Sequence, residues 1–399
     1  MENRKVYADN AATTKMAPEV IRAMTECMEQ VYENPSSLHT GGQRAKEVLE
    51  AAREEIAAAI GATAKEITFT SGGTESDNQA ILTALAIGKK KNKHHIVTTA
   101  FEHHAILHTL KRLEAEGKAE VTYLDVGSIG NITPEQVKEA IREDTCLVTV
   151  MYANNEIGSV LPIKEIGEIC RAAGVLFHTD AVQAVGHLPV NVQKDNIDML
   201  SFSAHKFRGP KGFGVLYARR GVVLSNLMEG GAQERGKRPG TENIAAAVGT
   251  AKALTLAVSH LPEESARLTV LRDKLIAGLS GIPHSALNGD PVHRLPGNVN
   301  FCFEGIEGEG MLLLLDAFGI EASSGSACTS GSLDPSHVLL AIGRPHEIAH
   351  GSLRLTLGAD NTEEDVDYML KKIPGVVERL RNMSPLWHDK VEGKKPFVL

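Results

Sequence analysis

From about residue 60 to 220, short apolar runs alternate with segments of helical spacing. Glu66–Thr70, Ile96–Thr99, Val121–Leu124, Cys146–Met151, Gly174–Phe177 and Met199–Phe202 predict strands. Ile163–Ala173 predicts an intervening helix, and Ala80, Ile81, Leu82 and Leu85 mark one face of another. Such alternation builds a mostly parallel sheet covered on both faces, which binds ligands beyond the carboxyl ends of its strands. The rhythm changes after about residue 258, where His260-Leu261-Pro262-Glu263-Glu264 breaks one helical region and starts another. Strands at Asn298–Phe303 and Leu353–Leu357, with a helix near Gly308 to Phe318 between them, form a second block. The tail beyond Trp387, with Gly393-Lys394-Lys395-Pro396, predicts a loosely held end.

Polar residues that close these strands are the candidate chemistry. Met199–Phe202 runs into Ser203-Ala204-His205-Lys206 and the turn Gly209-Pro210-Lys211-Gly212. A lysine at the carboxyl edge of a sheet, beside hydroxyl and imidazole donors, suits a Schiff-base amine next to a phosphate. In isolation it reads as a solvated surface lysine. Phe177-His178-Thr179-Asp180 carries an aspartate off another strand, where it can pair with a protonated ring nitrogen or simply cap a turn. Glu66–Thr70 feeds Ser71-Gly72-Gly73-Thr74-Glu75-Ser76 and then a helix. That junction offers free N–H groups and a favourable dipole to a phosphate, with a bare helix cap as the plain alternative. It fits neither Gly-x-Gly-x-x-Gly nor the Walker pattern, which argues against a dinucleotide or nucleoside triphosphate.

Composition narrows the setting. A chain of 399 residues favours two domains, and 42% hydrophobic with 23% charged residues is an ordinary globular balance. A net charge of -8 argues against a nucleic-acid partner, and the run Lys89-Lys90-Lys91-Asn92-Lys93 reads as a solvated loop. The first residues hold no apolar signal region, and the longest aliphatic run, Met311 to Leu315, is too short to span a bilayer. Five scattered cysteines without Cys-x-x-Cys predict reduced thiols in a cytoplasmic protein and no metal site. Cys27, Cys146, Cys170 and Cys302 read as small buried hydrophobes. Cys328 differs, because Ser323-Ser324-Gly325-Ser326-Ala327-Cys328-Thr329-Ser330-Gly331 has the composition of a loop.

The phosphate turn, aspartate and lysine, in that chain order, resemble the aspartate-aminotransferase superfamily of pyridoxal phosphate (PLP) enzymes, fold type I. The Cys328 segment, Glu102-His103-His104-Ala105, Tyr152-Ala153-Asn154-Asn155-Glu156-Ile157-Gly158 and Arg238-Pro239-Gly240-Thr241-Glu242-Asn243 are similar to the cysteine desulfurases. The resemblance runs from Tyr7 to Trp387, and Gly-Thr-Glu-Asn with His-Thr-Asp-Ala-Val-Gln-Ala-Val-Gly look most like the nitrogen-fixation (NifS) branch. It implies an α/β fold: a large domain, residues 15–258, on a mostly parallel seven-stranded sheet, and a small α/β domain from residues 1–14 and 259–399. It also implies that Lys206 holds PLP and moves protons, Asp180 pairs with the ring nitrogen, and Gln183 meets the ring oxygen. Gly73, Thr74, Ser203 and His205 would bind the phosphate, with Thr241 contributed across a homodimer. Asn34, Asn155 and Arg354 would take the substrate carboxylate, with Asn155 also beside the cofactor. The Glu-His match selects His103 over His104 as the residue that stacks on the ring and shuttles a proton. Cys328 would take the sulfur of L-cysteine as a persulfide, leave L-alanine, and pass sulfur to a scaffold of the NifU or IscU kind for iron–sulfur assembly. Selenocysteine lyase, an aminotransferase, and a non-catalytic sulfur-assembly partner are the other readings. Pro239 departs from the common pattern, in the loop that carries Thr241.

Overall fold

The computed structural model describes residues 4–324 and 335–399. Its strands are β1 (Val6–Tyr7), β2 (Ile67–Thr70), β3 (His95–Thr99), β4 (Glu120–Leu124), β5 (Thr145–Thr149), β6 (Leu176–Asp180), β7 (Met199–Ser203), β8 (Gly214–Ala218), β9 (Ser285–Leu287), β10 (Asn298–Phe303), β11 (Ile320–Glu321) and β12 (Ser352–Thr356). Seven of them form one sheet in the order β2-β8-β7-β6-β5-β3-β4. The run from β7 to β4 is parallel, and β8 lies antiparallel to both β2 and β7. The carboxyl ends of β2, β3, β5, β6 and β7 therefore point to one edge. This is the predicted α/β architecture.

The sheet is fully buried along β2, β3, β5, β7 and β8, as a sheet covered on both faces requires. Helix Ile163–Ala173 occupies the predicted span and ends on Gly174, whose φ of 66° is the left-handed cap that glycine adopts without strain. Gly174 thus belongs to the helix, and the strand begins later than predicted, at Leu176. It also continues further. His178, Thr179 and Asp180 stay in β6 although they are polar, because His178 bridges Thr149 Oγ1 at 2.8 Å and Ser201 Oγ at 3.0 Å. Asp180 ends β6, and its Oδ1 also caps the following turn by accepting Val182 N–H.

A second core gathers Val6 and Ala8 with Leu268, Leu275, Val299, Phe301, Met311, Leu353, Leu355, Val366 and Ile373. It packs around a three-stranded antiparallel sheet, β12-β10-β9, with β1 and β11 paired in parallel alongside. Helices Ile244–Ser259 and Leu261–Ser280 meet at a 70° bend at His260, the predicted break. Among the described residues no single helix is long and apolar enough to cross a membrane.

The end of the chain is held, contrary to the sequence expectation. Glu304, 1% exposed, pairs with Lys390 and accepts the backbone N–H groups of Val398 and Leu399. Phe397 stacks on His284 at 3.8 Å, and Trp387 packs edge-on against Phe397. A buried carboxylate placed far away in sequence docks this tail, which local composition does not reveal.

Candidate active site

Five strand ends converge on a cavity of about 370 Å3, a size suited to a small cofactor. Its wall includes Gly73, Thr74, His103, Asn155, Asp180, Gln183, Ser203, His205, Lys206 and Arg354. A larger space of about 1000 Å3 adjoins it and shares Gln183 and Lys206, but lacks the Gly73 turn, His103 and Asp180. The smaller cavity therefore carries the chemistry. Asn34 and Thr241 are exposed and line neither space within one chain.

The Gly73 turn follows β2 and opens helix Gly73–Lys89, whose N-cap, Gly72, supplies no side-chain acceptor. The first-turn N–H groups are left for an anion. Thr70 Oγ1 braces the turn by donating to Gly72 O at 3.1 Å, and it lies 2.8 Å from Ser76 Oγ. Close approach explains the glycines. A Cβ on Gly214 of β8 would lie 2.5 Å from Gly72 Cα, and one on Gly73 would lie 2.6 Å from Val182 Cγ2.

Lys206 ends the short 3-10 turn Ala204–Lys206 after β7. Its Nζ donates to Ala11 O at 2.6 Å and Ala12 O at 2.8 Å. Gln183 Nε2 donates to the same Ala11 carbonyl at 3.0 Å. His205 shares a 3.1 Å hydrogen bond with Thr13, and burial lowers its pKa to about 4, so it meets an anion as a neutral donor.

Asp180 is 5% exposed, and its Oδ1 accepts from Val182 N at 2.9 Å. Burial raises its pKa, against the opposing pull of His103 and Lys206. His103 caps helix His104–Ala115 by accepting Ala105 N–H on Nδ1 at 3.1 Å. The capping and active-site readings are therefore compatible: the cap fixes the neutral ring as the Nε2–H tautomer, and Nε2 is left for the cavity. Burial lowers the His103 pKa and favours that neutral form. His104 instead packs against His108 and His337, outside the cavity wall.

Arg354 on β12 is 2% exposed. Its Nη2 donates to Asp9 Oδ1 at 3.0 Å and its Nη1 to Asn155 O at 3.3 Å, while its buried Nε has no partner among the described residues. It is a structural ion-pair member that also lines the cavity, and these two hydrogen bonds leave part of its five-donor fork for a carboxylate.

A family model described as aminotransferase class-V matches residues 6–369. The chain belongs to this family. It is 54% identical to the cysteine desulfurase IscS of Clostridium botulinum over 396 residues, covering 98% of this chain and 99% of that protein. The cysteine desulfurase IscS of Methanosarcina thermophila is also 54% identical, over 96% of this chain and 95% of its own. A solved NifS-like protein superposes with a TM-score of 0.88 at 39% identity, covering 94% of this chain and 100% of that chain.

As a class-V aminotransferase, the chain is a PLP-dependent enzyme. The cavity fits the cofactor's chemistry: a helix start without a side-chain cap for the phosphate, a buried carboxylate for the ring nitrogen, and the Lys206 amine in the same wall. Cys328, which the sequence singles out, lies outside the described residues. The chain on either side of that segment is fastened to site elements. Ser323 N donates to Arg354 O at 3.2 Å, Ser336 Oγ donates to the Glu156 carboxyl, and His337 Nε2 lies 2.9 Å from Glu102 O. The other four cysteines are all buried, as expected. Burial pushes the Cys146 thiol up to about 12 and the Cys302 thiol to about 11.

Sequence reasoning missed Asp9, the Ala11 and Ala12 carbonyls, and Asp77. The first three come from a distant segment. Asp77 left a signal, since it shares a helical face with buried Ala80, Ile81 and Ala84, where a carboxylate is out of place.

Proposed function

We propose that this enzyme is a cysteine desulfurase: L-cysteine and the Cys328 thiol give L-alanine and a Cys328 persulfide. The Cβ–S bond of the substrate breaks, its sulfur joins the Cys328 sulfur, and the protons of the two thiols end on alanine and the persulfide. The observation that carries the reading is the convergence of Lys206, Asp180, His103 and Arg354 on one cavity. Bound PLP supplies the electron sink for chemistry at Cα and Cβ. Lys206 holds the cofactor and moves the Cα proton, and Asp180 keeps the ring nitrogen charged. Gly73, Thr74, Ser203 and His205 hold the phosphate, while Gln183 meets the ring oxygen. His103 offers its Nε2–H over the ring, and Arg354 with Asn155 and Asn34 orients the substrate carboxylate.

The reading extends to a homodimer in which Thr241 serves the neighbouring phosphate. It has a cofactor-binding unit at residues 15–258 and a smaller unit at residues 1–14 and 259–399 that carries Cys328. The persulfide passes in the cytoplasm to a NifU- or IscU-like scaffold for iron–sulfur clusters. The nitrogen-fixation branch is the finer assignment, and it rests on Gly240–Asn243 and His178–Gly186. The test is product analysis with L-cysteine and a thiol reductant. Equal alanine and sulfide, lost in Lys206→Ala, supports the reaction. An amino-group transfer product, or turnover of selenocysteine alone, overturns it.

A further inference from the structure

Behind Asp180 lies a second carboxyl group with no assigned task. Asp77, on the first turns of helix Gly73–Lys89, is 1% exposed and lines the cavity, and its Oδ1 has no hydrogen-bond partner among the described residues. Side-chain ligand atoms of Asp77, His103 and Asp180 all lie within 4.8 Å of one another. A metal ion does not suit this cluster, because the helix cap leaves His103 with a proton on Nε2 and no lone pair to give.

His103 and Lys206 favour the charge on Asp180, and the neighbours of Asp77 bring it no cation of its own. His178 approaches Asp77 at 3.7 Å, but burial drives its pKa to about 3, so it brings no positive charge. Glu102, fully enclosed, holds its proton to about pH 8 and adds no cation. Ser201 offers only a hydroxyl. Lys206 bears on Asp180, with its amine bound to the Ala11 and Ala12 carbonyls. Two carboxylates this close and this buried do not both ionise without a cation between them. Burial and Asp180 accordingly raise the Asp77 pKa.

We infer that Asp77 is a positioning residue for the cofactor's ring nitrogen: with Asp180 it forms a carboxyl pair that holds one proton and presents one negative charge. The inference rests on the PLP reading and deepens it. Asp77 is the reserve member of the pair, neutral while Asp180 is ionised and able to take over the charge when Asp180 cannot carry it.

A double-mutant cycle tests this with two readouts that need no turnover: PLP affinity of the stripped protein, and the pH dependence of the bound cofactor's visible absorbance. Asp77→Asn alone should change PLP affinity by less than about threefold, since the pair already carries one charge. In the Asp180→Asn background the same change should weaken PLP by about tenfold or more and collapse the pH range of the absorbance band, because no carboxylate remains. An equal factor in both backgrounds overturns the inference and makes Asp77 a packing residue. Failure of the unsubstituted protein to bind PLP would instead overturn the cofactor reading. Asp77→Ser, which also removes the charge, serves as the second variant if Asp77→Asn fails to fold.

Discussion

The proposed role of Arg354 joins substrate recognition to architecture within one side chain. Nη2 and Nη1 each give one N–H, to Asp9 and to the Asn155 carbonyl, and the rest of the five-donor fork is uncommitted among the described residues. Arg354→Lys keeps the charge beside Asp9 but replaces a planar fork with a compact ammonium, which lacks the bidentate geometry for a carboxylate. A hydrogen bond to a charged group is worth about 1.5–3 kcal/mol. Losing it should raise KM for L-cysteine by roughly 10- to 150-fold. The PLP absorbance should persist, because Arg354 is not among the residues proposed to hold the cofactor, and kcat should fall less than KM rises. The assay is steady-state alanine formation across a cysteine series, with the absorbance recorded on the same samples. An unchanged KM would refute the reasoning and leave Arg354 as the structural partner of Asp9 alone.

Other parts of the site make separate predictions. Glu102 carries a carboxyl that burial pushes from the ordinary 4.5 to about 8. Its contribution to stability is full below about pH 4.5, falls as the unfolded chain ionises first, and is lost as pH rises through about 8. Glu102→Gln should flatten that decline, with a melting temperature relative to the natural enzyme that is higher at pH 8 than at pH 5; equal differences at both would contradict it. Lys390→Met leaves Glu304 buried without its cation and should cost about 3 kcal/mol or more, read as an earlier unfolding transition, while tail docking is lost to proteolysis. Full stability of that variant would show that the backbone N–H groups of Val398 and Leu399 suffice to hold Glu304.

The parts legible in the sequence are those whose chemistry is local. Ser203–Lys206, Asp180 and Gly73-Thr74 each sit where a strand ends, and the α/β rhythm alone brings strand ends together. The polar end of β6 was not legible as strand, since His178 is satisfied by Thr149 and Ser201, far from it in sequence. The same reason hides the docked tail: Glu304 recruits it across the small core. It also hides the role of the Ala11 and Ala12 carbonyls, which no side-chain pattern marks. Asn34 and Thr241 were named through the family resemblance, and within one chain they lie away from the cavity. For His103 the cap and cavity readings are compatible, because one ring nitrogen caps a helix and the residue also lines the cavity, which His104 does not.

The most direct test of the account is the sulfur itself. After one turnover with L-cysteine and no reductant, mass spectrometry of the digested protein should find one added sulfur on the Cys328 peptide, matched by one alanine. Cys328→Ala should keep the PLP absorbance and lose both products. Alanine and sulfide made by Cys328→Ala at the natural rate would contradict the persulfide route.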